Sequence, residues 1–353
     1  MEILVFGAGA IGGYLGGKLA LAGHGVTLVT RPRMVASIQK GGLLITEGKT
    51  TQSASVMAVE RLEQVVESAP ACDLIILGMK AYDLAGAVKL LAETYPSPAH
   101  VMSTQNGIGV EEIIAGRFGV ERTVAGTVTI PISRRGPNQL VVERAGRGLG
   151  IAPVMAGGQA GKWVALFREA GINAGALADY RAMKWSKAYL NIMGNASSAI
   201  LNRPPAELYR IQDIFDLEMR MLRETLAVMK RLGVEVVNLP GATARPLARS
   251  LAYAPRFLLH AVFTQVIIHG RGDKMPSFHL DLASGKGQSE VAFHNGAIAE
   301  AGRTAGVPVP TNAALNDTLL SLASDQMRRE YFNGRPDRLL AVVRDYDQGE
   351  VFV

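Results

Sequence analysis

Five polar side chains recur at helical spacing in an otherwise apolar stretch, MKWSKAYLNIMGNASSAI, from Met183 to Ile200. On a continuous helix over Arg181 to Leu201 with Lys187 at zero, Asn191 falls at about 40°, Asn195 at about 80°, Ser198 at about 20° and Lys184 at about 60°. A helix that is apolar nearly all round is a buried helix, and a buried polar stripe needs partners. A bound polar ligand would supply them; a stripe facing water would give the same pattern. The chemistry that suits the stripe is ketone reduction. Hydride addition at a carbonyl carbon leaves an alkoxide, which a lysine ammonium can stabilise and protonate. Asparagine amides can hold a substrate's hydroxyl and carboxylate. Lys187 is the better acid, because Asn191 and Asn195 follow it at successive four-residue steps. Lys184 suits a snorkelling surface lysine equally well.

A hydride needs a donor, and the first turn of the chain reads GAGAIGG. Gly7, Ala8, Gly9, Ala10, Ile11 and Gly12 follow a strand-like run and open a helical one, the context in which GxGxxG carries a dinucleotide. Gly7 permits the tight turn, Gly9 lets the backbone approach a pyrophosphate, and Gly12 lets helix and strand pack closely. The helix start offers N–H groups and a positive dipole end to phosphates. The next strand ends VTLVTRPR, with Thr30 and Arg31 where an NAD site carries Asp or Glu. Arg31, with Arg33 nearby, suits a 2′-phosphate, so NADPH/NADP+ is expected over NAD. A solvent-exposed arginine at a strand end is the alternative.

The elements that must position these groups are legible as patterns. EILVFG, VTLVTR, CDLIILGMK and HVMSTQNG are short apolar runs, each followed by a helical stretch. Continuous apolar strands alternating with helices make a parallel sheet covered on both faces. TVTIPIS, NQLVVERAG and RGLGIAPV read as further strands completing that sheet. From about Asp179 long helical patterns dominate, over Arg181 to Leu201, Ile211 to Leu232 and Ser289 to Ala305. The expected fold is an α/β Rossmann-type dinucleotide-binding domain over 1–175 and an all-α substrate and catalytic domain over 180–345. Pro240 to Lys274 reads as a helix or two. Its apolar part, Arg256 to Ile268, suits a homodimer contact and a buried core equally well.

Bulk properties narrow the function class. A chain of 353 residues can bury a large core without staples, and its single cysteine, Cys72, excludes an internal disulfide. That fits a reducing cytosol, and a cytoplasmic protein is expected. The chain opens directly into strand-like MEILVFG, without a basic leader, and no apolar run reaches spanning length, so no membrane partner is expected. Six histidines show no HxxH or HExxH spacing and there is no CxxC, so no metal is expected. The formal charge of +6 is scattered among acids. It suits anionic small molecules or plain solubility, and a nucleic-acid partner would need a clustered basic stripe.

Several blocks, in order, resemble the 2-dehydropantoate 2-reductase (ketopantoate reductase) family. They are GAGAIGGYLGGKLALAGHGVTLVTR, LGMKAYD, STQNGIG, KWSKAYLNIMGNASSAI, and PSFHLDL followed by SEVAFHNGAIAEAGRTAGVPVPTN. Together they cover most of the chain outside Pro240 to Lys274. The resemblance implies NADPH-dependent reduction of 2-dehydropantoate to (R)-pantoate, on the route to pantothenate and coenzyme A. It implies Lys187 as general acid and Glu290 as a catalytic glutamate near that lysine and the cofactor ribose. It implies Asn191, Asn195 and Ser277 as substrate ligands, Asn106 touching cofactor and substrate, and Lys80 beside the cofactor. Lys80 and Asn106 follow strands of the parallel sheet, where such folds bind ligands. Glu290 begins a helical pattern, where the dipole keeps a carboxylate charged, and an ionised Glu290 would keep Lys187 protonated.

The chain departs from the family on the substrate side. Pro205 stands where the family often has a substrate-binding Asn, with Asn202 three residues earlier as a substitute. Ala196 follows Asn195 in place of the common Pro, and ASGKGQ adds one residue before Glu290. A same-family reductase of another branched or bulky 2-oxo acid therefore stays open. So does a non-catalytic NADP-binding sensor, although a sensor needs no proton donor.

Overall fold

The computed structural model describes residues 1–68, 72–95, 98–270 and 274–349. The chain divides into two compact units, Met1–Lys184 with Asn238–Ala242, and Trp185–Val237 with Thr243–Val353. The first is an α/β unit and the second is helical.

The strands of the first unit are β1 (Glu2–Phe6), β2 (Gly25–Val29), β3 (Leu43–Glu47), β4 (Thr50–Ala54), β5 (Met57–Val59), β6 (Leu74–Leu77), β7 (Val101–Ser103), β8 (Thr123–Val128), β9 (Ile132–Gly136), β10 (Gln139–Val142), β11 (Leu149–Pro153) and β12 (Ala174–Ala176). They form an eight-stranded sheet in the order β12-β11-β8-β7-β6-β1-β2-β5 and a four-stranded sheet in the order β4-β3-β10-β9. From β8 to β5 the large sheet is parallel throughout. The apolar runs EILVF and LIIL lie at its centre, as strands covered on both faces require. The chain moves from β1 outward to β2 and β5, then returns to β6 on the other side of β1. The topological switch therefore lies between β1 and β6, where open α/β sheets bind ligands.

Two expectations are corrected here. The late strands do not all complete one sheet: β8 and β11 join the large sheet, whereas β9 and β10 pair with β3 in the small one. In addition, β3, β4 and β5 lie outside the expected runs, so the strand before Asn106 is the seventh in chain order. The helix Ala10–Leu21 explains the second sheet. A Cβ on Gly16 would meet Leu28 Cδ2 at 2.8 Å and Val5 Cγ2 at 2.9 Å, in the large sheet. One on Gly17 would meet Ile45 Cδ1 at 2.6 Å and Leu43 Cδ2 at 2.9 Å, in the small sheet. The helix is pressed between both sheets, and paired glycines let the backbones approach on either side.

A short return segment closes the first unit. Thr129 Oγ1 donates to Pro240 O at 2.6 Å, Arg147 Nη1 donates to Gly241 O at 2.5 Å, and Pro240 packs over Gly148, Gly150 and Gly175.

In the helical unit, Gln212–Arg231 is the central element. It buries Ile214, Phe215, Met221, Leu222 and Val228 together with two carboxylates, Glu218 and Glu224. Glu224 accepts from Thr311 N and Asn312 N, both at 3.0 Å, and so caps the helix Pro310–Ala323 in place of a local N-cap side chain. Pro240 to Lys274 contains two helices, Arg245–Tyr253 and Arg256–Gly270, on either side of Pro255. The second buries Leu259, Phe263 and Ile267 along one face and leaves Phe257 and Leu258 exposed. Among the described residues no helix is long and apolar enough to cross a membrane, and no group of three or more His, Cys, Asp or Glu is placed to hold a metal.

Lys184 is not a snorkelling surface lysine. It is buried within the first unit, 2.8 Å from Glu111 Oε1, and its Nζ donates to Gln105 O at 2.8 Å. Glu111 also accepts from Ser103 Oγ. Removing one partner of such a pair leaves an uncompensated buried charge. Lys184→Met should therefore lower unfolding stability by about 3–5 kcal/mol, and adding Glu111→Gln should restore part of the loss. Urea unfolding of the single and double variants measures both effects, and a Lys184→Met protein as stable as wild type would contradict the assignment.

Candidate active site

The first unit gathers its candidate residues at the carboxyl ends of four neighbouring strands. The glycine turn leaves β1; its Gly7 N and Ala8 N both donate to Val29 O at 3.1 Å, and Thr30 Oγ1 donates back to Ala8 O at 3.2 Å. Gly7 has φ +85°, and a Cβ there would meet Met79 N at 2.8 Å. At Gly12 a Cβ would meet Gly7 O and Val5 Cγ1, both at 3.0 Å. Fold and packing therefore account for both glycines. Gly9 differs: its φ is an ordinary −73°, and a Cβ would meet nothing within 4 Å. Among the described residues nothing stands against a Cβ there, so the open space suits a group outside the chain, as a pyrophosphate laid on the turn would be. Beyond Gly9 the N–H groups of Ala10, Ile11 and Gly12 open the helix Ala10–Leu21 and have no partner a full turn earlier. The residues present thus fit a dinucleotide.

Arg31 lies two residues past β2 as the exposed residue preceding the helix Pro32–Gly41, and it makes no ion pair with the described residues. Lys80 lies three residues past β6, half-buried, before the 3-10 turn Ala81–Asp83. Asn106 lies three residues past β7, half-buried, and its side chain has no hydrogen-bond partner among the described residues. The backbone beneath Asn106 is held firmly. Thr104 Oγ1 and Gln105 Nε2 donate to Leu77 O at 2.7 and 2.9 Å, and Lys184 holds Gln105 O. Sequence reasoning missed this clamp of Glu111 and Lys184, although two charges in apolar surroundings are its signal.

The helical unit holds the remaining candidates, and here the continuous helix is corrected. The helix Tyr180–Ile192 ends, Gly194 turns with φ +59°, and a short helix, Ala196–Leu201, begins anew. Buried Glu218 holds the break: its carboxylate accepts from Gly194 N at 2.8 Å, Ser197 Oγ at 2.5 Å and Tyr209 Oη at 3.0 Å. Lys187 and Asn191 remain one turn apart on the partly exposed face of the first helix. Asn195 and Ser198 leave that stripe, and both are buried.

Asn195 still meets the other substrate candidates. Its Oδ1 accepts from Phe278 N at 3.1 Å, and its Nδ2 donates to Ser277 Oγ at 3.3 Å and to Asn191 O at 3.1 Å. It thereby caps the helix Ser277–Ala283 from a distance and ties exposed Ser277 to the Asn191 turn. Since its hydroxyl oxygen accepts from Asn195, Ser277 keeps its O–H proton for an acceptor. Glu290 is buried at the start of a 3-10 turn, Glu290–Phe293, that leads into the helix Asn295–Ala305. The turn is capped by Ser289 Oγ, which accepts from Val291 N at 3.2 Å. One turn on, buried His294 joins two candidates. Its Nδ1 lies 3.0 Å from Glu290 O, its Nε2 lies 3.4 Å from Asn191 Nδ2, and its ring stands edge-on to Phe278 with centroids 5.3 Å apart. Sequence reasoning missed His294, and its place four residues after Glu290 was the available signal. Asn202 turns elsewhere. Its Oδ1 accepts from His279 Nε2 at 3.0 Å, and it lines a separate hollow of about 230 Å³ with Ile200, Leu282 and Arg329.

The family described as ketopantoate reductase PanE/ApbA matches residues 3–149, and its C-terminal counterpart matches residues 179–322. A 2-dehydropantoate 2-reductase from Archaeoglobus fulgidus is 28% identical over 324 residues, covering 91% of this chain and 96% of its own. One from Pyrococcus horikoshii is 28% identical over 318 residues, covering 89% and 95%. Among solved structures, a PanE/ApbA family ketopantoate reductase from Ralstonia eutropha is 28% identical with a TM-score of 0.76, over 92% of this chain and 99% of its own. A D-mandelate dehydrogenase solved with NADH and anilino(oxo)acetate shares the fold, at 23% identity and a TM-score of 0.76, over 92% and 99%. The chain belongs to the ketopantoate reductase PanE/ApbA family of dinucleotide-binding oxidoreductases.

Proposed function

We propose that this chain is a cytoplasmic NADPH-dependent 2-dehydropantoate 2-reductase that makes (R)-pantoate for pantothenate and coenzyme A. The observation that carries this is the pairing of a dinucleotide turn with space reserved at Gly9 and a half-buried lysine one turn before an asparagine. Family membership supports the reaction type, and the relatives named 2-dehydropantoate 2-reductase support the substrate.

The backbone of Gly7 to Gly12 would hold the pyrophosphate, Arg31 would hold the 2′-phosphate, and Lys80 and Asn106 would lie beside the cofactor. NADPH, when bound, supplies the hydride to the carbonyl carbon. Lys187 is the general acid: its ammonium stabilises the oxygen as negative charge develops there and then donates the proton. Glu290 is assigned as the catalytic glutamate beside Lys187 and the cofactor ribose. Ser277 donates its O–H to the substrate carboxylate, Asn191 and Asn106 orient the substrate, and Asn195 holds Ser277 and the Asn191 turn in place.

A different bulky 2-oxo acid is the alternative substrate. Pro205, which opens the short helix Pro205–Leu208, and the engagement of the Asn195 amide with Ser277 and Phe278 favour keeping it in the assay. Oxidation of NADPH followed at 340 nm with 2-dehydropantoate and a panel of other 2-oxo acids decides between them. Turnover with none of these, despite tight NADPH binding, would leave an NADP-binding sensor.

Three variants test the assignments. Lys187→Ala should keep NADPH affinity and lose about 10²–10⁴ in kcat; unchanged turnover would remove Lys187 from the mechanism. Arg31→Ala should weaken NADPH binding far more than NADH binding in a fluorescence titration, because only NADPH carries the 2′-phosphate; equal losses would sink the cofactor assignment. Gly9→Ala should cost at most about 1 kcal/mol of stability as a helix-cap change but sharply weaken dinucleotide binding. Full affinity in that variant would show that Gly9 meets no pyrophosphate.

A further inference from the structure

Asn106 sits in a loop that its own sequence would leave loose. Gly107 follows it with φ +112° and Gly109 with φ +88°, two left-handed positions at glycines, which lose the most conformational freedom when the chain orders. One ammonium spans this loop. Lys184 Nζ donates to Gln105 O at 2.8 Å, one residue before Asn106. The same Nζ lies 2.8 Å from Glu111 Oε1, in the first turn of the helix Val110–Phe118 that follows the loop. Glu111 also accepts from Ser103 Oγ at the end of β7, and Gly126 N of β8 donates to that hydroxyl oxygen at 3.3 Å. The strand before the loop and the helix after it are thus joined through Ser103, Glu111, Lys184 and Gln105, all four buried. Such a pair adds little net stability, because replacing both of its members by neutral groups is often nearly neutral. What it fixes is the path of the backbone on either side of Asn106.

The sheet order says which part of a dinucleotide would feel this. The strands run β7-β6-β1-β2, so Asn106 after β7 and Arg31 after β2 lie on opposite sides of the glycine turn after β1. β7 stands about 10 Å from β1 at the usual strand spacing. A dinucleotide with its pyrophosphate on that turn runs across the strand ends. With its adenosine half toward β2, its nicotinamide half extends toward β6 and β7. From this geometry we infer that Lys184 and Glu111 are positioning residues for the cofactor. Their buried ion pair sets Asn106 in place for the nicotinamide half before the cofactor arrives, and it leaves the adenosine half unaffected. The inference rests on the proposal above that this unit binds NADPH. It goes further by adding two residues to those assigned to cofactor binding and by stating which half of the cofactor they serve.

The test uses the paired variant Lys184→Met with Glu111→Gln, in which no buried charge is left alone and Ser103 Oγ keeps an acceptor. Binding titrations compare NADP+ with adenosine 2′,5′-bisphosphate, which carries the adenosine and 2′-phosphate but no nicotinamide. In the paired variant Kd for NADP+ should rise about three- to tenfold, while Kd for the bisphosphate stays at the wild-type value. Asn106→Ala should weaken NADP+ in the wild-type background and add no further loss in the paired variant, because the changes act through one group. Equal losses for both ligands, an unchanged Kd for NADP+, or fully additive effects overturn the inference and leave the pair a purely structural one. If wild type binds neither ligand, the functional proposal fails and this inference with it. Amide hydrogen exchange of the wild-type protein stands beside these. Thr104 N donates to Gln105 Oε1 at 3.1 Å inside the clamped segment. In ligand-free protein it should exchange as slowly as the amides of β6, and NADP+ should add little protection. Fast exchange that slows only with NADP+ would mean that the cofactor orders the loop, and it overturns the inference whether or not the variants fold.

Discussion

The bend that follows Lys187 and Asn191 depends on one buried carboxylate. Glu218 is buried on the central helix of the second unit, and three donors converge on its two oxygens. One is the N–H of Gly194, where the chain must leave a helix and enter another. A continuous helix would send Asn195 on around the Lys187 wheel. The break sends it to the start of the helix Ser277–Ala283, where its amide reaches both Ser277 and Phe278. Burying an unpaired carboxylate would be expensive, but here each oxygen is satisfied, so its desolvation is offset by a bend that no local sequence preference would hold. Glu224, on the same helix, does the same for the start of Pro310–Ala323. The second unit thus uses one central helix to fix the starts of two others.

The first unit uses backbone approach instead of buried charge. Its opening helix carries two glycine pairs, and each pair serves both sheets. The turn before it is shaped by sterics at Gly7 and Gly12, and left open at Gly9. One charge pair, Lys184 with Glu111, secures the backbone from which Asn106 projects. Lys184 and Lys187 lie one turn apart on the same helix. One is consumed by structure, and the other stays partly exposed.

Much of this was legible in the sequence, for local reasons. The parallel sheet follows from continuous apolar runs, the dinucleotide turn from glycine spacing after a strand, and the helical second unit from long 3.6-residue periodicity. What was not legible was decided by distant residues. Gly194 sits in an apolar run that reads as unbroken helix, and its turn is held by Glu218, twenty-four positions away. Lys184 and Lys187 look alike on a wheel, and only Glu111 distinguishes them. The strands TTQSA and ISRRG are polar edge strands of a small sheet and lack the apolar signature of a core strand. A lone histidine after Glu290 says nothing until its ring is seen between a carbonyl and an amide.

The segment Asn238–Ala242 gives the chain an order of assembly. It belongs to the first unit, lying over Gly148, Gly150 and Gly175, yet it is synthesised after the helices Tyr180–Ile192 and Gln212–Arg231. On the ribosome, the α/β unit therefore waits with that glycine-lined face bare while the first helices of its successor emerge. Its last closure spans a loop of non-local chain, the kind of step that sets folding speed in such topologies. The two units are thus interleaved in sequence and in time, and a nascent chain halted at Lys184 would carry the α/β unit without its final clasp.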